Sequence, residues 1–345
     1  MKIHSTCKFF FAIIILGSIS NISYAQCCGG GGGSPIAGGA SQGVLQENQI
    51  EISTNFQYIN TTQFYSKDKK DTNFLDRFSS QYSYTRLAFG ISKKLTISLE
   101  TGYWADKTEV GLKKSITYKT SGIGDVLIFP RYDLINVVKN KIKTELTIGI
   151  GVKIPLGSYN DSTGVIEPFS GDKYYITNPI SVQPSSGSQD IIFYTFFSRA
   201  HTLKNLKFFG NALYVKKGWN PLGEKMGDYA SVGVFVGKTF FKNLGITMQV
   251  KGEWIDKMKL NEVVTMFGTS NYDPEKTGSK KVFIVPQISY AYKGFVIYGL
   301  SEIPVYQYVT KTQIGSQFQT TFGISYRFMA KKACATTEST PIISK

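Results

Sequence analysis

Histidine is almost missing from this chain. Its 345 residues include 2 histidines, His4 and His201. A serine or cysteine nucleophile needs a base beside it. His4 lies in the apolar start of the chain and His201 beside a predicted turn, so neither offers one. The chain therefore reads as a non-enzyme. It shows no phosphate loop, dinucleotide fingerprint or convincing metal cluster, and no cofactor is expected. Cysteine is scarce too, with 4 residues: Cys7, Cys27, Cys28 and Cys334. That excludes a disulfide scaffold. Adjacent Cys27 and Cys28 lack a chelating spacing, and Gln26 stands where a lipidated cysteine wants a small residue. Long apolar runs are also lacking. Past residue 25 nothing approaches the roughly 20 apolar residues of a membrane-spanning helix.

What is present begins with a secretory signal over residues 1–25. Lys2 and Lys8 are its basic start, residues 9–16 its apolar middle, and Ser23-Tyr-Ala25 its cleavage site. An uncleaved anchor is the alternative, disfavoured by the shortness of the apolar run. A flexible leader rich in Cys and Gly follows over 26–44, then a folded region over 45–328 and a flexible tail over 329–345. The formal charge is +15. An exported chain has little access to nucleic acid, and the lysines cluster at predicted turns, as at Lys93-Lys94. They suit solubility and contact with anionic headgroups, so outer-membrane lipids and lipopolysaccharide are the expected partners and nucleic acid is not.

The folded region alternates. Strand-like segments occupy residues 48–64, 80–91, 95–105, 123–135, 143–154, 190–200, 206–216, 228–240, 244–257, 281–292, 295–308 and 318–328. Short links (92–94, 136–142, 201–205, 241–243, 293–294) alternate with long ones (65–79, 106–122, 155–189, 217–227, 258–280, 309–317). An even strand number with short turns on one rim and long loops on the other is the pattern of an outer-membrane barrel. Composition permits it: 24 Phe, 21 Tyr and 34 Gly at a mean hydropathy of −0.10. A soluble β-sandwich shares that composition but has no reason to alternate its loops. The fold expected is all-β: a transmembrane antiparallel barrel of about 12 strands with short periplasmic turns and long extracellular loops. The location expected is the cell outer membrane.

Successive strand side chains point to opposite faces. In the fifth strand Leu146, Ile148, Ile150, Val152 and Ile154 take the lipid parity, and Glu145, Thr147, Gly149, Gly151 and Lys153 the lumen parity. In the ninth Leu244, Ile246, Met248, Val250 and Trp254 oppose Thr247, Gln249, Lys251 and Glu253. The sixth, seventh and eleventh strands are apolar on both parities. That means a lumen patch for an apolar solute, a plug contact or a bulge that shifts register. Inward charges collect at Arg86, Glu100, Asp125, Arg131, Asp133, Glu145, Lys153, Lys251, Glu253 and Arg327. Such charges form either a paired, stabilising wall or a polar path that selects solutes.

In the last strand Phe318, Phe322, Ile324, Tyr326 and Phe328 share one parity. This aromatic-ended strand resembles the C-terminal assembly signal of bacterial outer-membrane barrels, which implies the barrel-assembly machinery as a partner; 17 residues follow Phe328. Three further motifs are Ser121-Gly-Ile-Gly-Asp125, Lys153-Ile-Pro-Leu-Gly157 and Ser185-Ser-Gly-Ser-Gln-Asp190. In this order they resemble the outer-membrane transporter family named after the MetA pathway of phenol degradation, over residues 45–328. That family is similar in turn to fatty-acid and aromatic-compound channels. The resemblance implies passive uptake of small apolar or aromatic molecules, with the solute unspecified. Cys27-Cys28, the Gly-rich leader and the tail are not family features. Within the first motif, Gly122, Gly124 and Asp125 suit a structural role, bending a strand and capping a loop end. The competing function is a non-conducting surface protein whose long loops bind a partner or polysaccharide. Residues 155–189, with Tyr159, Phe169, Tyr174 and Tyr175, either fold inward as a constriction or stand outward as a binding surface.

Overall fold

The computed structural model describes residues 43–330 apart from 73–74, 115, 167–169, 202 and 268–273. The signal, Cys27, Cys28, most of the leader, Phe169 and nearly all of the tail lie outside the described residues. Twelve long strands form the wall: β1 (Gln49–Thr61), β2 (Leu75–Gly90), β3 (Leu95–Gly111), β4 (Val126–Lys139), β5 (Ile142–Ile154), β6 (Asp190–His201), β7 (Leu206–Lys216), β8 (Tyr229–Phe240), β9 (Leu244–Ile255), β10 (Ser279–Tyr292), β11 (Phe295–Ile314) and β12 (Phe318–Met329). Each pairs antiparallel with its sequence neighbours. β12 returns to β1 in a register that sets Glu51 opposite Arg327 and Phe56 opposite Phe322. The sheet is closed, so every edge has a partner, the condition for crossing lipid with strands. No helix among the described residues is long and apolar enough to cross a membrane.

The alternation read from the sequence sets the two faces. Leu99, Ile128, Ile150, Val152, Val234, Val250 and Ile303 are exposed on the outside. Tyr132, Tyr290, Tyr292, Phe295 and Tyr326 ring this apolar band near the short turns; Tyr58, Tyr103, Trp254 and Tyr306 ring it near the long loops. Two aromatic girdles around an apolar band match a bilayer and its interfaces. In β12 the aromatic parity faces out as expected: Phe318, Phe322, Ile324 and Tyr326 are exposed and Phe328 is half-buried. The Tyr326 ring stacks on Phe295 and on Phe328, with centroids 4.3 and 5.4 Å apart.

Several boundaries differ from the sequence reading. The second hairpin turn is only Asn140-Lys141, both left-handed (φ 51° and 63°), because a two-residue turn of this type matches strand twist. β3 runs on to Gly111, beyond the expected end at residue 105, and pairs there with a separate strand Thr117–Ile123. Ile123 thus belongs to an outer hairpin and not to β4. β11 extends to Ile314 and pairs with another hairpin strand, Phe64–Lys67, leaving only residues 315–317 as the last link. Polar alternation stops carrying a signal above the membrane, where both faces of a strand meet water or loops.

Before β1 the chain tucks across the short-turn mouth. Leu45 is buried and its N–H donates to Thr96 Oγ1 at 2.7 Å. Gly43 lies against Glu145 so closely that a Cβ there would strike the carboxylate. Residues 43–45 thus pack against the inner wall at that end of the lumen.

Candidate functional site

The lumen has two unlike walls. β1 to β5 and β12 carry charge. Glu51, Arg86, Glu100, Arg131 and Asp133 are each at most 4 % exposed. Glu51 accepts from the guanidinium groups of both Arg86 and Arg327. Glu100 accepts from the Tyr84 hydroxyl and from Ser98 Oγ, the latter at 2.6 Å. Asp133 accepts from Thr147 Oγ1 and, at 2.7 Å, from Asn136 Nδ2. Glu145 pairs with Lys143 at 3.4 Å near the short-turn mouth. Charges this far from water require partners, and each of these carboxylates has one.

The opposite wall is apolar. Phe129 of β4 leads into Ile192, Tyr194 and Phe196 of β6, Phe209, Leu213 and Val215 of β7, and Phe235 of β8, a continuous buried cluster. Phe209 and Phe235 stack with centroids 4.3 Å apart. A second group comes from β10 and β11: Phe283, Val285, Tyr298 and Leu300. These inward residues explain why the sixth, seventh and eleventh strands are apolar on both parities: an apolar lumen patch. The β10–β11 ladder also shifts register between Val282 and Phe283, so a bulge contributes there. Between the groups stands an island of charge, where Lys251 bridges Glu302 at 3.1 Å and Glu253 at 3.3 Å.

The long link 155–189 divides. Its outer part is a hairpin, Ser162–Ile166 with Lys173–Thr177, that leaves Ile166, Tyr174 and Tyr175 exposed. Its inner part descends into the lumen, where Val182, Gln183, Ser185 and Ser188 are at most 4 % exposed. Side chains of the wall hold this inner part by its backbone. Trp104 Nε1 donates to Pro184 O at 3.0 Å, Lys107 Nζ to Gln183 O at 2.6 Å, and Thr120 Oγ1 to Val182 O. Lys153 joins Asp125 at 2.8 Å, Asp190 at 3.0 Å and Ser186 Oγ at 2.7 Å; Lys217 meets Asp190 at 3.0 Å. The three sequence motifs meet in this latch. Asp125 ends the first, Lys153 begins the second, and Ser186, Ser188 and Asp190 belong to the third.

Under the descended loop lies a cavity of about 480 Å³, within the roughly 300–1,000 Å³ usual for small-molecule sites. Ile180, Gln183, Pro184 and Ser185 form its roof. Tyr82, Tyr84 and Glu100 come from the charged wall, and Leu127, Ile192 and Val215 from the apolar one. The two walls meet here.

The ten lumen charges expected from sequence therefore fall into four places. Arg86, Glu100, Arg131 and Arg327 form the charged wall; Asp133 and Glu145 stand toward the short-turn mouth; Asp125 and Lys153 form the latch; Lys251 and Glu253 form the island. Glu51, Asp190, Lys217 and Glu302 complete these groups and were missing from the expected set. Glu51 sits on the polar parity of the first strand and was accessible to the same argument. Trp104 and Lys107 carried no comparable signal, since the third strand was expected to end between them. His201, at the end of β6, accepts from the Lys204 N–H at 3.3 Å and so braces its turn. No cluster of metal-ligating groups occurs among the described residues.

The barrel has counterparts among solved structures. An outer-membrane channel from Pseudomonas putida F1 superposes with a TM-score of 0.60 at 10 % identity, over 83 % of this chain and 97 % of the other. The chain has the fold of an outer-membrane β-barrel. The beta domain of the Bordetella autotransporter BrkA (TM-score 0.45, 10 % identity, 82 % of this chain and 100 % of that one) and a FadL homologue from Pseudomonas aeruginosa (0.41, 6 %, 82 % and 91 %) are more distant and add nothing to that assignment. No protein-family model matches the sequence, and no curated protein is similar to it.

Proposed function

We propose that this barrel is a non-enzymatic channel of the cell outer membrane for passive uptake of small apolar or aromatic molecules. One observation carries the reading: the loop latched into the lumen roofs a cavity lined by Tyr82, Trp104, Leu127, Ile192 and Val215. A wall needed only for stability has no use for such a chamber. The shared fold with a Pseudomonas putida F1 channel supports the same view. The resemblance of the three motifs to the MetA-pathway family points to aromatic solutes. On this reading the short turns are periplasmic, the long loops extracellular, and Phe318, Phe322, Ile324, Tyr326 and Phe328 serve the assembly machinery. The test is single-channel conductance of the refolded protein in a planar bilayer. Discrete openings are expected, and replacing residues 158–187 by a short Gly-Ser turn raises their conductance several-fold. A folded barrel that stays silent in both forms rules the channel out.

The exposed hairpin Ser162–Ile166 with Lys173–Thr177 favours a second reading, a surface that binds a partner or polysaccharide. That role predicts that deleting the hairpin alone leaves conductance unchanged but abolishes the binding.

A further inference from the structure

The cavity's charges are unequally matched. Its acids are engaged: Glu100 by Tyr84 and Ser98, Glu253 by Tyr229 Oη at 3.0 Å and by Lys251. Two of its cations are engaged as well, Lys153 by Asp125 and Asp190 and Lys217 by Asp190. Lys107 differs. Among the described residues no carboxylate lies within ion-pair distance of it. Its Nζ donates to the Gln183 carbonyl and stands 4.3 Å from the Trp104 ring centroid. An ammonium has further N–H donors to offer. The Trp104 ring in turn lies 4.1 Å from Tyr82, tilted by 35°.

We infer that this cavity is a binding site for a small aromatic anion, with the ring packed beside Tyr82 and Trp104 and the acid group on Lys107. The inference rests on the channel reading for the path to the site, though not for binding itself. Apolar Leu127, Ile192 and Val215 in the same lining suit a ring. A desolvated ammonium gains most from an ionised acceptor. The way out agrees in sign. Lys93, Lys94, Lys141, Lys204, Lys242 and Lys293 are exposed around the short-turn mouth, a positive field that draws anions along.

Titration calorimetry of the full-length refolded protein in detergent micelles tests this, with benzoate and neutral benzyl alcohol as probes. Benzoate binds more tightly. Lys107→Gln, which keeps a donor for the Gln183 carbonyl, weakens benzoate by about tenfold, the loss of one charge-assisted contact. It leaves benzyl alcohol unchanged, and Lys107→Arg restores benzoate. Equal affinity for the two probes, no binding of either, or equal weakening of both by Lys107→Gln overturns the site; the last result makes Lys107 a strut for the loop. Selective benzoate binding by a barrel silent in bilayers upholds the site and overturns the channel. A conducting barrel that ignores benzoate does the reverse.

Discussion

The two lumen walls are built from the same element, a strand with one face in lipid, yet they are held by different forces. On the charged wall Glu51 is fully buried between two arginines that belong to neighbouring strands. On the apolar wall Phe209 and Phe235 stack ring on ring across adjacent strands. The charged wall is specified by pairing, since removing one partner strands the others. The apolar wall is specified by volume, since what matters is how completely the rings fill their space. The pairs fix the shape of one side, and the rings give the other an apolar surface. Glycine serves each wall in one way. Tyr82 lies over Gly102 and Tyr298 over Gly323, where any side chain would strike the ring.

Glu51→Gln is the largest blow this comparison predicts. The glutamine is nearly isosteric, but it leaves Arg86 and Arg327 without their shared carboxylate. Breaking a buried pair in this way costs about 3–5 kcal/mol. Urea unfolding in micelles, followed by tryptophan fluorescence, reads the loss directly. A change below 1 kcal/mol, on the order of an exposed pair, would mean that lumen water solvates these charges and that the wall is no network.

Phe235→Ala probes the other side. It removes a ring that is 1 % exposed and stacked on Phe209. Phe→Ala changes in packed cores cost about 3–5 kcal/mol, and the adjoining lumen lets neighbours relax, so about 3 kcal/mol is expected. The same unfolding assay checks it. A loss larger than that of Glu51→Gln would invert the ranking and make the apolar wall the chief support of the barrel. The loss is insensitive to salt, because no charge is involved.

Much of this plan was legible in the sequence because lipid imposes a strict period of two. The fifth, ninth and twelfth strands declare their outer faces residue by residue, and the alternating links declare the two rims. Partner choice was harder to read. Glu51 meets Arg327 only because the sheet closes on itself, a contact 276 positions apart in the chain. Nor does alternation say what an apolar inner parity is for. Ile192, Tyr194 and Phe196 look alike whether they line a patch or touch a plug, until β7 and β8 bring Phe209 and Phe235 beside them. Above the membrane the period fades, and with it went Trp104 and Lys107, the residues that grip the descended loop.

Lys143→Gln is expected to do least, and it sharpens the contrast by staying on the charged wall. Lys143 pairs with Glu145 at 3.4 Å, but its side chain is 21 % exposed near the short-turn mouth. Water there screens the pair, and such pairs contribute about 1 kcal/mol or less. Charge removal on one wall thus spans a steep range, set by depth and not by the number of ion pairs. Raising the salt concentration should shrink the small effect of Lys143→Gln further and leave that of Glu51→Gln nearly intact, because ions reach the mouth and not the buried pair. Equal salt sensitivity of the two variants would show that ions enter the lumen freely, and the charged wall would then be a hydrated surface lining an open pore.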